Sequence, residues 1–168
     1  MSFLIPIKEL LNHPGNMQEL DLSIVPENPI GTELVKLETG DALDVFLRLE
    51  SVHEGILATG EVRATAKTIC SRCLDSMNLE IEVDFQELFA YSSSSEDELV
   101  VSGELIDLEQ VVIDSVVLSL PFQPVCSPDC LGLCSGCGEK LSETHEHQHE
   151  NPVDPRFDAL KDLLSKEE

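Results

Sequence analysis

The sequence predicts a small α+β domain, in which an antiparallel β-meander packs against one buried helix. Two observations lead to this prediction. Three segments within residues 43–91 alternate apolar with polar side chains, and residues 105–121 carry apolar side chains at helical spacing. A chain of 168 residues suits one domain with a full core. We therefore expect a single domain over residues 1–168, completed by a cysteine-rich zinc-knuckle segment and a short C-terminal helix.

Residues 43–91 contain the three predicted strands. Leucine and valine side chains at alternate positions over residues 43–49 point one way, and polar side chains point the other. The second strand runs to about Ile69, and the third has its apolar side chains at alternate positions over residues 79–85. Such strands form an antiparallel sheet with one buried and one solvated face.

Two other segments are assigned from composition. Residues 1–42 show no clear pattern, and the apolar run from Ile5 to Leu11 within them fits either a short strand or a helical turn. Residues 92–104 begin with four serines followed by three acidic residues. Such a sequence buries nothing, so we expect a mobile loop there.

Two segments are predicted to be helices. Residues 105–121 have an apolar face wide enough for burial, and Asp107 with Gln110 forms a variant of the capping box at its start. Residues 151–168 combine an acidic N-cap, a proline at the first helical position and one apolar stripe. The second helix is therefore expected to be short and to pack on one side only.

The charge balance restricts the partners. The chain has 33 acidic and 10 basic residues, which gives a formal net charge of −23. Such a surface repels phosphate backbones, so direct RNA binding is expected to be weak. It attracts basic partners, of which ribosomal proteins are the most abundant in a cell. An acidic surface that only keeps the protein soluble accounts for the same composition.

The sequence also gives expectations about compartment and chemistry. Residues 1–8 show no basic leader region, and no apolar run approaches the ~20 residues that a membrane span requires. We expect a cytoplasmic protein with reduced thiols and no membrane partner. No phosphate-binding loop or catalytic triad spacing is present. We therefore expect neither an enzyme nor a small-molecule substrate.

The six cysteines form two clusters. The first is Cys70-Ser-Arg-Cys73, and the second lies within residues 126–137. A CxxC pair on a tight turn that is followed by glycine is typical of a zinc knuckle. The predicted ligands of one zinc ion are Cys126, Cys130, Cys134 and Cys137. The alternative set is Cys70, Cys73, Cys134 and Cys137.

Either set closes a tetrahedral site with four thiolates and leaves no position for water. The zinc is therefore expected to be structural rather than catalytic. Residues 122–150 also contain a histidine tract, which either supplies extra metal ligands or forms a solvent-exposed loop. The histidines are His145, His147 and His149.

Arg72 lies between the two cysteines of the first cluster, at the tip of the predicted hairpin turn. With the hairpin turn centred near Leu74, Arg63 is expected to form an ion pair with Asp84 of the third strand, and Lys67 with Glu80. Arg72 has no such partner in the predicted pairing. It is therefore the residue predicted to contact a partner or RNA.

Four motifs in order along the chain carry a family resemblance. They are Cys70-Ser-Arg-Cys73-Leu74 after an alternating strand, Ile106-Asp107-Leu108 at the start of an apolar helix, the segment Cys126 to Gly138, and Asp154-Pro155-Arg156. Together they resemble the YceD family of large ribosomal RNA subunit accumulation proteins, over about residues 40–165. Some relatives lack the C-terminal cysteines and keep the first CxxC. The resemblance therefore favours Cys70, Cys73 and Arg72 as the functional feature.

The resemblance implies a role in the accumulation or processing of large-subunit ribosomal RNA. Combined with the charge, it predicts a non-enzymatic factor that binds a basic large-subunit ribosomal protein or a pre-ribosomal particle. The alternative is a thiol redox protein or sensor that uses the Cys70 and Cys73 pair. A redox pair of the thioredoxin type lies at a helix N-terminus, whereas this pair follows a strand.

Overall fold

A computed structural model describes residues 3–92 and 98–141. Within these ranges the chain is mostly antiparallel β-sheet with one short helix, so the α+β class holds with the sheet predominating. The strands are β1 (Leu4–Pro6), β2 (Met17–Ile24), β3 (Ile30–Gly31), β4 (Val35–Leu37), β5 (Leu43–Ser51), β6 (Gly55–Ile69), β7 (Ser76–Ala90) and β8 (Leu105–Asp107), and the helix is α1 (Glu109–Ser119).

The main sheet has six strands, with β6 at its centre. Strand β7 pairs with β6 along its whole length, from Gly55 opposite Ala90 to Ile69 opposite Ser76. On the other side of β6, strand β5 pairs with its first half and β4 with its second. Strands β2 and β3 lie outside β5 and β4. The predicted meander is thus present as β5, β6 and β7.

Alternating side chains place the core on one face of this sheet. Every second residue of β5 is buried, and the same alternation continues in β6. Helix α1 packs on this face through Val111, Val112 and Val116, and it contacts β7 and β3. The opposite face of the sheet carries the polar side chains and is exposed to solvent.

A close contact within the core joins the two central strands of the hairpin. Gly60 of β6 lies opposite Phe85 of β7. A Cβ at Gly60 would stand 2.4 Å from the Phe85 ring, so the glycine provides the space that the ring fills. This arrangement explains a glycine in the middle of a strand, where glycine otherwise weakens the sheet.

The start of the helix differs from the prediction. Asp107 is the last residue of β8 and pairs with Leu4 of β1, and the N-cap position is taken by Leu108. The Asp107 Oδ1 still accepts a hydrogen bond of 2.9 Å from the Glu109 N–H. The Gln110 side chain instead donates to Asp114 at 2.8 Å, so the prediction that it completes a capping box with Asp107 is wrong.

The N-terminal segment contains both of the structures that its sequence allows. Strand β1 comes first, and a turn follows, in which the Leu10 and Leu11 N–H groups donate to the Ile7 carbonyl at 2.9 and 3.1 Å. Ile5 and Ile7 are buried and belong to the hydrophobic core. The two-stranded sheet of β1 and β8 therefore contributes Ile5 and Ile106 to the core.

Part of the predicted mobile loop and the predicted C-terminal helix lie outside the described residues, as do the three histidines. The described end of the loop is bound to the sheet, because the Ala90 N–H donates to the Leu99 carbonyl and the Val101 N–H donates to the Ala90 carbonyl. Residues 99–101 at the end of the predicted loop are therefore hydrogen-bonded to the sheet. No helix in the described part of the chain is long and apolar enough to cross a membrane.

Candidate metal centre and acidic sheet face

Four cysteine sulfurs come together at the end of the β6–β7 hairpin. Cys70 and Cys73 lie in the turn between the strands, and Cys126 and Cys130 lie in the segment that follows the helix. All four sulfurs are within 4.8 Å of one another. The Cys70 and Cys130 sulfurs are 3.9 Å apart, and those of Cys73 and Cys126 are 3.7 Å apart. We call this group the four-cysteine cluster.

The cluster differs from both ligand sets predicted from the sequence. Its members are Cys70 and Cys73 from the first CxxC together with Cys126 and Cys130, and it is the one such group among the described residues. The second CxxC lies on a neighbouring hairpin. The physical reason is that the chain after α1 crosses to the hairpin turn, where the Ser71 N–H donates to the Pro124 carbonyl at 2.8 Å. This contact brings the first cysteines after the helix to the turn.

Backbone hydrogen bonds fix the first CxxC as a knuckle. The Cys70 N–H donates to the Asp75 carbonyl at 2.8 Å, and the Leu74 N–H donates to the Cys70 carbonyl at 3.0 Å. The Cys70 sulfur accepts from the backbone N–H groups of Arg72 and Cys126, each at 3.4 Å. Leu74 has a φ of 59°, which the tight turn requires of its fifth residue. The Cys70 sulfur is therefore held in place by backbone N–H groups.

The surroundings of the two thiols in the knuckle shift their pKa values in opposite directions. Backbone N–H groups of Cys73, Arg72 and Cys126 donate to the Cys70 sulfur and lower its pKa to about 6. The backbone N–H of Asp75 acts to lower the pKa of Cys73, but burial and the adjacent sulfurs together raise it to about 12. One thiolate is thus stabilised within the cluster, and further ionisation is opposed.

The same crowding acts on the other pair. Hydrogen bonding with Cys130 raises the pKa of Cys126, with burial acting in the same direction. Four thiolates this close repel one another unless a cation lies between them. Zinc binds four thiolates in a closed tetrahedral site, and such a site stabilises a fold and leaves no position for water. The cluster therefore has the ligand number and ligand type of a structural metal site.

The Arg72 side chain binds the backbone of the loop that carries Cys130. Its Nη1 donates to the carbonyls of Pro128 and Cys130 at 3.1 and 3.0 Å, and its own carbonyl accepts from the Leu133 N–H at 3.1 Å. These partners are backbone carbonyl oxygens of the chain itself, which the sequence did not predict; the prediction was only that Arg72 lacks an acidic partner on the third strand. The guanidinium connects the knuckle to the loop that supplies the other two cysteines. Contact of Arg72 with RNA or a partner stays a prediction.

Arg63 and Lys67 are both paired with acidic residues, but neither with the acid predicted, because Arg63 lies opposite Glu82 and Lys67 opposite Asn78. Arg63 forms ion pairs with Glu61 and, at 3.4 Å, with Glu82 of β7. Lys67 instead pairs with Glu38 at 3.0 Å and Asp41 at 3.5 Å, which precede β5. The pairing of Lys67 differs because β4 lies beside this half of β6.

The solvated face of the main sheet is strongly acidic. We call the outward side chains of β2, β5, β6 and β7 the acidic sheet face. Its acidic members are Glu19, Asp21, Asp44, Glu50, Glu61, Glu80, Glu82 and Asp84, and its basic members are Arg48, Arg63 and Lys67. An open groove of about 780 Å³ crosses this face.

One row of side chains crosses the groove from strand to strand. Asp21 lies opposite Phe46, Phe46 opposite Glu61, and Glu61 opposite Asp84. The Phe46 side chain is 42% exposed, and the Arg63 guanidinium lies 5.3 Å from its ring centre. A cation of this chain therefore already lies over the ring, between carboxylates on the neighbouring strands.

The fold and these two features define a sheet-based protein with a cysteine cluster and an acidic sheet face. The chain belongs to the YceD family. The family model, described as large ribosomal RNA subunit accumulation protein YceD, matches residues 58–164 and therefore includes the whole four-cysteine cluster.

Similar proteins are found in mycobacteria and in Bacillus. An uncharacterized protein of Mycobacterium tuberculosis strain H37Rv is 44% identical over 170 residues, covering 97% of this chain and 82% of the relative. An uncharacterized protein of Mycobacterium leprae is 39% identical, covering 95% of this chain and 76% of the relative. The uncharacterized protein YlbN of Bacillus subtilis is 29% identical over 104 residues, covering 59% of this chain and 60% of YlbN. No solved structure gave a significant match.

Proposed function

We propose that the protein is a non-enzymatic factor that supports accumulation or processing of large-subunit ribosomal RNA by binding a basic ribosomal protein or a precursor particle. Membership of the YceD family carries the ribosomal part of this proposal. The acidic sheet face supports the choice of a basic partner. Such a role places the protein in the cytoplasm, where ribosomal particles are assembled.

The groove is the surface on which we place the partner. The three basic side chains of the face are all paired with acidic residues, Arg48 with Glu50 at 2.7 Å among them. Asp21 and Asp84 have no salt-bridge partner among the described residues. Their charges are therefore available to a cation that enters from outside, and charge complementarity of this kind speeds encounter and selects the partner.

The metal centre has a structural part in this proposal. We propose zinc as the ion of the four-cysteine cluster, because a set of four thiolates favours zinc. The ion would join the turn at Cys70 and Cys73 to the loop at Cys126 and Cys130. It would thereby fix the end of the β6–β7 hairpin without taking part in a reaction.

Co-sedimentation tests the partner. The purified protein should sediment with large-subunit precursor particles at low salt and be released as the salt concentration rises, because exposed charges are screened. The variant D21N/D84N should bind at least several-fold more weakly. E27Q/E33Q is the matched control, because it removes the same charge from exposed loop positions away from the groove. Equal loss of binding in both variants would place the contact elsewhere.

Depletion in cells tests the biological role independently. Large-subunit ribosomal RNA should fall relative to small-subunit ribosomal RNA, and the wild-type gene should restore it. Unchanged ribosomal RNA on full depletion, together with absence of the protein from all ribosomal fractions, would overturn the proposal.

A thiol redox protein is the second candidate, and the lowered pKa of Cys70 is the observation that favours it. Against it, the Cys70 side chain is fully buried, so its thiolate is shielded from a substrate disulfide. Thiol titration with and without a chelator separates the two functions. Cysteines that react only after metal removal indicate a structural site. Rapid, reversible disulfide formation in the untreated protein indicates redox chemistry.

A further inference from the structure

The second CxxC is also a preformed knuckle, although it stands outside the four-cysteine cluster. The Cys134 N–H donates to the Glu139 carbonyl at 2.8 Å, and the Gly138 N–H donates to the Cys134 carbonyl at 2.8 Å. The Cys134 sulfur accepts from the backbone N–H of Gly136 at 3.3 Å. Backbone groups thus orient the first sulfur of this pair.

These contacts repeat those of the first knuckle position by position. In both turns the first cysteine donates to the carbonyl five residues on, accepts from the N–H four residues on, and receives an N–H two residues on at its sulfur. The fifth residue of each turn has a positive φ, 59° for Leu74 and 74° for Gly138. The two turns therefore present their thiols in the same way, and the first belongs to a group that can hold an ion.

The second knuckle is carried by an anchored hairpin. Leu133 pairs with Lys140 across it, and the Leu141 N–H donates to the Gly132 carbonyl at 3.0 Å. The Lys140 Nζ forms an ion pair with Asp75, next to the first knuckle. Since both ends of the hairpin are held against the cluster, the thiols of the turn have a fixed position.

We propose that Cys134 and Cys137 form a second metal site, in which two thiolates bind one further thiophilic cation such as zinc. Binding releases the two thiol protons to solvent and forms two metal–sulfur bonds. Cys137 is exposed and Cys134 is half-buried, so the other coordination positions face outward. They are open to water or to ligands of another molecule, whereas the four-cysteine cluster is closed.

The number of metal ions bound by the full-length protein tests this site. Zinc-loaded protein examined by native mass spectrometry should carry two ions per chain. C134S/C137S should carry one ion, and S135A should still carry two, because Ser135 lies in the same turn and supplies no thiol. A dimer with three ions also supports the site, with one ion shared between two copies. Saturation of the wild type at one ion per chain would overturn the proposal, and so would two ions on C134S/C137S.

Thiol protection gives a second readout, which stays informative if the double variant folds poorly. In wild-type protein loaded with zinc, alkylation mapped by peptide should be slow at Cys134 and Cys137 and at least tenfold faster after a chelator treatment mild enough to leave the four-cysteine cluster protected. The open site should lose its ion first, because it has half the number of protein ligands. Equal alkylation of these two cysteines with and without zinc would contradict the proposal.

Discussion

The guanidinium of Arg72 lies against the carbonyl oxygen of Cys130, with 3.0 Å between Nη1 and the oxygen. This bond joins the two halves of the four-cysteine cluster without involving a sulfur. The same nitrogen also donates to the Pro128 carbonyl at 3.1 Å. Arg72 therefore positions the ligand loop, and its place between two cysteines in sequence follows from that task.

Replacing Arg72 by alanine should weaken zinc binding by the cluster about tenfold, because residues that orient metal ligands typically contribute 10–100-fold to affinity. Competition with a chromophoric chelator measures this. Lysine at the same position keeps a positive charge and one donor, so R72K should lose less affinity than R72A. If R72A leaves zinc affinity unchanged and weakens RNA or particle binding, the contact role predicted from the sequence is the correct one.

Zinc binding at pH 7 should release at least two protons per ion from the cluster. The pKa of Cys73 is about 12 and that of Cys126 is raised, so both thiols are protonated in the metal-free protein. The pKa of Cys70 is about 6, so this residue is already largely ionised at pH 7. Affinity should therefore rise with pH above neutrality and fall in acid. Calorimetry in buffers of different ionisation enthalpy counts the protons, with C134S/C137S used to isolate the cluster.

Replacing Gly60 by alanine should lower the free energy of unfolding by about 1–3 kcal/mol, the usual cost of overpacking a core. The added Cβ would stand 2.4 Å from the Phe85 ring. Denaturant unfolding measures the change. In the double variant G60A/F85L, the smaller side chain at position 85 should make room for the added Cβ. The double variant should therefore lose less free energy of unfolding than the two single variants lose together. Strict additivity would show that the two residues do not interact.

Removing the metal should loosen the cysteine segments and leave the sheet folded. The contiguous hydrophobic core is formed mostly by the strands and the helix, and it contains none of the six cysteines, although Cys70 and Cys73 are buried beside the metal site. Far-ultraviolet circular dichroism should therefore change little on chelation, whereas amide exchange should increase in residues 70–75 and 124–133. Loss of the whole sheet signal on chelation would show that the ion is required for folding of the domain.

Alternation in the sequence was enough to predict strands β5, β6 and β7, because apolar side chains at every second residue determine which face of each strand is buried. Strands β2, β3, β4 and β8 were not predicted. The alternation of Leu20, Leu22 and Ile24 in β2 was missed. Strands β3, β4 and β8 have only two or three residues, and their partners are chosen by tertiary packing rather than by local pattern. The same limit applies to Asp107, where strand pairing with Leu4 displaced the expected helix start.

The sequence predicted that cysteines are the metal ligands, but not which four of them lie together. The spacing of each CxxC predicted a knuckle, and the backbone of both turns has knuckle geometry. The choice of partner sulfurs depends on where the chain runs after Ser119. That path is set by contacts such as Ser71 with Pro124, which have no signature in the sequence. Closeness in sequence therefore favoured a set confined to residues 126–137, whereas the sulfurs that lie together are those of Cys70, Cys73, Cys126 and Cys130.

The pairing of β1 with β8 has a consequence for the order of folding. It joins Leu4 to Asp107, about one hundred residues apart in the chain. Closing so large a loop costs more conformational entropy than closing the short β6–β7 turn, and its three residue pairs return little on their own. We therefore expect the β6–β7 hairpin to form first and β1 to pair with β8 last. Under mild denaturant, β1 should accordingly be the first strand to detach.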